Sequence, residues 1–91
     1  MEWRLFATLA EAAGTGEVPL DHDEATLREA FDALLEAHPE LAEDVLDEDD
    51  TLYGHVRVLV DGADPFAEAD GWETVVGGDA ELALFPPVSG G

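Results

Sequence analysis

A small α+β domain, in which one main helix crosses a mixed sheet of four to five strands, is the fold class this sequence predicts. Three observations carry that prediction. Apolar residues alternate at both ends of the chain and again in residues 55–60, the pattern of strands. One long amphipathic stripe lies between them, over residues 27–38. No other segment is long enough to cover a sheet, so this helix must supply the opposite side of the core.

Ninety-one residues make one domain, and a chain of this size buries roughly 60–70% of its unfolded surface. Apolar residues at 46% are sufficient for a core without staples, and the lack of cysteine excludes disulfides, thiolate metal sites and a thiol nucleophile. No apolar run approaches the roughly 20 residues that span a bilayer. The first residues also lack the basic start and apolar core of a signal peptide, so the expectation is a cytoplasmic protein with no membrane partner. Charge is the unusual quantity: 23 acidic residues against three basic ones give −20. Such a field repels phosphate backbones, which argues against direct nucleic-acid binding. Molar salt shortens the Debye length to roughly 3 Å and screens this self-repulsion, so the composition predicts a salt-loving host. The basic residues are Arg4, Arg28 and Arg57; lysine is absent. No copy can therefore be attached to another through an ε-amine, which leaves only the amine of Met1.

In chain order, residues 2–7 form strand one, with Trp3 and Leu5 on one face, Arg4 and Phe6 on the other, and burial expected on much of both sides. Residues 8–13 read as a short helical turn or loop ended by Gly14. Residues 17–20 give a brief second strand, placed at an edge by Pro19. Residues 21–24 (Asp-His-Asp-Glu) are an acidic link, with His22 a solvated loop residue because no second ligand cluster accompanies it. Thr26 and Glu29 stand at capping-box spacing and start the main helix. Leu27, Phe31, Leu34, Leu35 and His38 form its apolar stripe, Glu29, Asp32 and Glu36 its wet side, and Pro39 ends it near His38. Residues 41–46 add a helical turn, and residues 47–50 an acidic loop that fits a calcium site in neither register. Residues 55–60 are the clearest strand, with Val56, Val58 and Val60 alternating against Arg57 and Leu59. Asp61-Gly62 is a hairpin-type turn. Residues 63–71 look irregular, and residues 72–76 form a short edge strand or a turn under the sheet. A tight turn at residues 77–79 feeds the last strand, residues 81–85, with Leu82 and Leu84 on one face and Ala83 and Phe85 on the other.

The chain then ends in Pro86-Pro87-Val88-Ser89-Gly90-Gly91. Two prolines remove two backbone donors, so pairing cannot continue and the chain is pushed outward as an extended arm. Gly90 and Gly91 make its end thin enough for close approach by another protein. An α-carboxyl is ionised at neutral pH and can attack a nucleotide α-phosphate to give an acyl-adenylate. The acyl can then pass to a cysteine thiol, a lysine amine or a sulfide donor.

Residues 82–91, Leu-Ala-Leu-Phe-Pro-Pro-Val-Ser-Gly-Gly, resemble the ending of the ubiquitin-like small archaeal modifier proteins, of the halophilic archaeal type. They are also similar to the molybdopterin synthase small subunit and, more loosely, to the thiamine-pathway sulfur carrier of the same superfamily. The resemblance implies a β-grasp (ubiquitin-like) domain over residues 1–85, its first and last strands parallel in the centre of the sheet, and a tail over residues 86–91. The turn before the last strand departs from the family's pattern, with Ala80 interposed between Asp79 and Glu81. The resemblance further implies a monomer whose Gly91, preceded by Gly90, is adenylated by a ubiquitin-activating-type (E1-like) enzyme and joined by isopeptide bond to lysines of target proteins. Phe85, Pro86, Pro87, Val88 and Ser89 would be the partner-binding arm. The alternative is a sulfur carrier whose C-terminal thiocarboxylate serves molybdopterin synthesis, with that synthase's large subunit as partner, or tRNA thiolation. A third class, an acidic binding domain with an inert tail, would leave the paired prolines and glycines without a use. No catalytic constellation stands out: His22, His38 and His55 are scattered, no phosphate loop is present, and neither metal nor cofactor is expected. The chain reads as a substrate of enzymes, not as one.

Overall fold

The computed structural model describes residues 1–54 and 56–86. Strand β1 (Glu2–Leu5) is followed by helix α1 (Thr8–Ala13) and strand β2 (Glu17–Pro19), then by β3 (Glu24–Thr26) and the main helix α2 (Leu27–Ala37). A 3₁₀ turn (Pro39–Leu41) and α3 (Ala42–Val45) lead towards β4 (Arg57–Val60). Helix α4 (Pro65–Glu68), a second 3₁₀ turn (Gly71–Glu73), β5 (Val75–Gly77) and β6 (Glu81–Phe85) complete the order.

The main sheet has the order β2-β1-β6-β4. Strands β1 and β6 run parallel at its centre, with Trp3 opposite Leu82 and Leu5 opposite Leu84. The first and last segments of the chain therefore share the middle of the fold, the β-grasp arrangement. Strand β2 closes the hairpin with β1 and lies at the edge, where Pro19 withholds no needed donor.

The core lies between this sheet and α2. Leu27, Ala30, Phe31 and Leu34 of α2 are buried, against Trp3, Leu5, Val58, Leu82 and Leu84 from the sheet. Trp3 is fully buried, and its indole N–H donates to the Ala30 carbonyl at 2.9 Å, so its one polar atom is satisfied. The start of α2 is the expected capping box: Thr26 Oγ1 accepts from Glu29 N–H at 3.2 Å, and Glu29 Oε1 accepts from Thr26 N–H at 2.9 Å. Those bonds hold the Glu29 carboxyl below the usual glutamate range, the backbone bond from Thr26 being the larger cause. Pro39 ends α2 with His38 as its cap residue.

Four expectations are corrected. Strand β1 is buried on one side only, since Arg4 is exposed and Phe6 is 38% exposed on the outer face. Residues 24–26 pair as β3 with β5 in a separate two-stranded sheet, so the segment after Trp72 joins neither edge of the main sheet. This pairing holds Val76 and Ala25 over the core. Residues 63–71 are not irregular: Asp64 Oδ1 accepts from Phe66 N–H at 2.9 Å and Pro65 occupies the first turn, which starts α4. The clearest strand begins at Arg57; His55, its expected first residue, lies outside the described residues.

Two turns depend on glycine. Asp61 and Gly62 both have positive φ, 49° and 85°, the requirement of a two-residue type I′ turn. Asp61 Oδ1 then accepts from Glu81 N–H at 2.9 Å, which ties that turn to the start of β6. At Gly78 a Cβ would come 2.9 Å from the Asp23 carbonyl oxygen, so the chain between β5 and β6 can pass there only without a side chain. The Met1 amine donates to the Gly78 carbonyl in the same region.

Candidate functional site

Strand β6 is the most firmly held element at the C-terminal end of the described residues. Its inner side chains, Leu82 and Leu84, are fully buried, and both of its flanks are paired, to β1 and to β4. A strand so fixed has one direction in which to leave the sheet. It ends at Phe85, opposite Arg57 of β4.

Phe85 itself is held from the side. Its ring stacks on Phe6 with centroids 4.4 Å apart and planes 9° from parallel. The contact follows from register: Leu5 lies opposite Leu84, so the next residues of two parallel strands are neighbours. Just beyond Phe6 the chain must turn away, and Ala7 does so at φ 51°, ψ −127°, a conformation L-residues rarely adopt. Leu9 N–H donates to the Phe6 carbonyl at 3.1 Å across that turn.

Phe6, Leu59, Ala83 and Phe85 line a shallow apolar groove on the outer face, bordered by Asp61, Gly62 and Glu81. Arg4 Nε lies 3.0 Å from Glu81 Oε1 across the adjoining surface, and both side chains are about half exposed. A pair this wet contributes little to stability.

Of the residues named from sequence for activation and docking, Phe85 and Pro86 fall within the described residues, and Pro86 is half-buried. Pro87, Val88, Ser89, Gly90 and Gly91 lie outside them. Sequence reading missed Phe6 and Leu59 as members of the same surface. Alternation set Phe6 with Arg4 and Leu59 with Arg57 on their separate strands, but only the strand order brings the two together. Among the described residues, no group of three or more histidines and carboxylates is placed to hold a metal ion, and no helix is long and apolar enough to cross a membrane.

A β-grasp domain with its first and last strands parallel at the centre of the sheet is the fold of a class of carrier and modifier proteins. The chain belongs to the ThiS family, whose model matches residues 3–91. It is 53% identical to small archaeal modifier protein 1 of Haloferax volcanii, over all of both chains. A crystal structure of that Haloferax protein matches with a TM-score of 0.85 at 46% identity, covering 99% of this chain and 97% of the other. The solution structure of small archaeal modifier protein 1 from Methanosarcina acetivorans matches at 0.83 and 31% identity, covering 99% and 94%.

Proposed function

We propose that this protein is a ubiquitin-like modifier whose Gly91 carboxylate is activated and joined to lysines of other proteins. The observation that carries the reading is the placement of β6: a doubly paired central strand ends at Phe85, and the Pro-Pro-Val-Ser-Gly-Gly arm follows at once. The domain acts as a rigid handle, and the chemistry belongs to the enzyme that grips it.

A Gly91 carboxylate oxygen attacks the α-phosphorus of ATP, the bond to the β-phosphate oxygen breaks, and pyrophosphate leaves. The mixed anhydride is then attacked at its acyl carbon by a lysine amine. An amide forms, the acyl C–O bond breaks, AMP departs and the amine gives up a proton. The partner for the first step is a ubiquitin-activating-type adenylating enzyme. The outer-face groove around Phe6, Leu59 and Phe85 is suited to bind it, because it is an apolar patch that includes Phe85, the residue from which the last six follow. Gly90 and Gly91 enter its channel, and Pro86 to Ser89 span the distance.

Sulfur delivery is a second reading: in a chain without cysteine, any sulfur atom carried would sit on the terminal carboxylate. Sulfide attacks the same acyl carbon, AMP leaves, and a thiocarboxylate results. Both readings predict ATP–pyrophosphate exchange when the full chain meets an activating enzyme of this type. Deleting Gly91 should abolish the exchange while leaving the far-UV spectrum unchanged; exchange that survives the deletion would rule both out.

A further inference from the structure

A second groove lies on the helical side of the molecule and shares no residue with the outer-face groove. Trp72 packs against Phe31 of the core at 5.1 Å, and Phe66 meets Trp72 edge-on at 5.2 Å. Arg28, Asp50, Leu52, Tyr53 and Val56 are also in the lining. Tyr53 and Phe66 are 43% and 46% exposed, an unusual expense for rings in a small domain. Among the described residues of the lining the one cation, Arg28, is already engaged: its guanidinium carbon sits 5.0 Å from the centre of the Trp72 ring. Asp50 stands in the lining itself, and further exposed carboxylates lie close to the ring residues along the chain: Asp49 before Thr51, Glu68 after Phe66, and Asp70 and Glu73 on either side of Trp72.

We propose that this groove docks an extended segment of another protein, in which an aromatic anchor is flanked by lysine or arginine. The anchor packs among Tyr53, Phe66 and Trp72, where rings favour offset or edge-on contacts. Its basic flanks meet Asp50 and the acidic surface beyond it, the complementarity that a molecule of charge −20 offers. Charge also disfavours the alternatives. A second copy would bring another −20, and residues 86–91 of this chain contain no cation. Because neither the tail nor the outer-face groove takes part, the surface stays open when the tail is in use, so the partner is suited to recognise the domain after attachment. The docking itself does not rest on how Gly91 is used.

The test is titration of the ¹⁵N-labelled full chain with a capped heptapeptide carrying phenylalanine at its centre and lysines on both sides. It is run at the lowest salt that leaves the far-UV spectrum unchanged. The Trp72 indole N–H and the amides of residues 52–54 should shift together, and Phe66→Ser should weaken binding by at least about tenfold. Tyr53→Ser serves as the second variant if Phe66→Ser does not fold. Equal binding by a peptide with glutamate for lysine, equal affinity of the variants, or shifts confined to the Phe6 and Phe85 face would overturn the proposal. Trp72 shifts that appear on concentrating the protein alone would assign the groove to a second copy. Shifts that appear on removing residues 87–91 would assign it to the chain's own tail. Either result contradicts the inference.

Discussion

Phe85 is the last side chain anchored before the arm, and its neighbour across the sheet is Phe6. Offset-stacked pairs are worth about 0.5–1.5 kcal/mol beyond the area they bury. A double-mutant cycle of Phe6→Ala and Phe85→Ala, followed by denaturant unfolding, should therefore return a coupling of about 1 kcal/mol. Simple additivity of the two losses would mean that the rings meet without holding one another. Half of this pair was legible in the chain: Phe85 stands beside the prolines and draws notice. Phe6 does not, because its partner is 79 positions away and only the parallel pairing of β1 with β6 brings the two together. Leu59 was hidden for the same reason, its outer-face neighbour Ala83 belonging to a different strand.

At the level of elements, legibility followed the strength of local chemistry. Helix α2 declared both its ends, through the Thr26–Glu29 box and through Pro39. Strand β3 did not, because three residues running directly into a helix cap leave no alternation to read, and their partner β5 is equally short. Helix α4 carried a start signal in Asp64-Pro65, but proline read as a breaker obscured proline as a first-turn residue. The two-sided burial expected of β1 failed because only one layer of helices covers this sheet, and the other face carries Arg4, Phe6 and Phe85 in contact with water. Thr26→Val removes the side-chain acceptor of the box and should lower stability by about 1 kcal/mol in denaturant unfolding. It should also let the Glu29 pKa rise part of the way toward its ordinary value in an NMR pH titration, since it removes the hydroxyl bond, the smaller of the two Thr26 causes, and keeps the backbone bond. The linkage has a definite sign. A depressed folded pKa adds stability above the ordinary carboxylate range, and that contribution is lost as pH falls through the depressed value. The difference between wild type and variant should accordingly narrow in acid; a constant difference would show that the bond between the Thr26 hydroxyl and Glu29 contributes nothing.

For the whole molecule, charge and chemistry divide the work. A net charge of −20 on a Cα radius of gyration of 12.2 Å keeps copies apart and strains the folded state. Salt near 1 M screens that repulsion within roughly 3 Å. The absence of lysine means that no copy can accept another through an ε-amine, so on the proposed function chains of copies could grow only through the Met1 amine. It also puts the last trypsin site at Arg57, leaving residues 58–91 on any modified lysine, so intact mass is the cleaner readout. The most direct test is to incubate the full chain in high salt with host extract, ATP and a sulfur donor, beside a copy lacking Gly90 and Gly91, and to weigh the products. Covalent adducts with larger proteins, formed by the full chain alone, are the predicted result. A gain equal to one oxygen exchanged for sulfur would make the protein a carrier instead, and no change in either copy would contradict activation of the tail altogether.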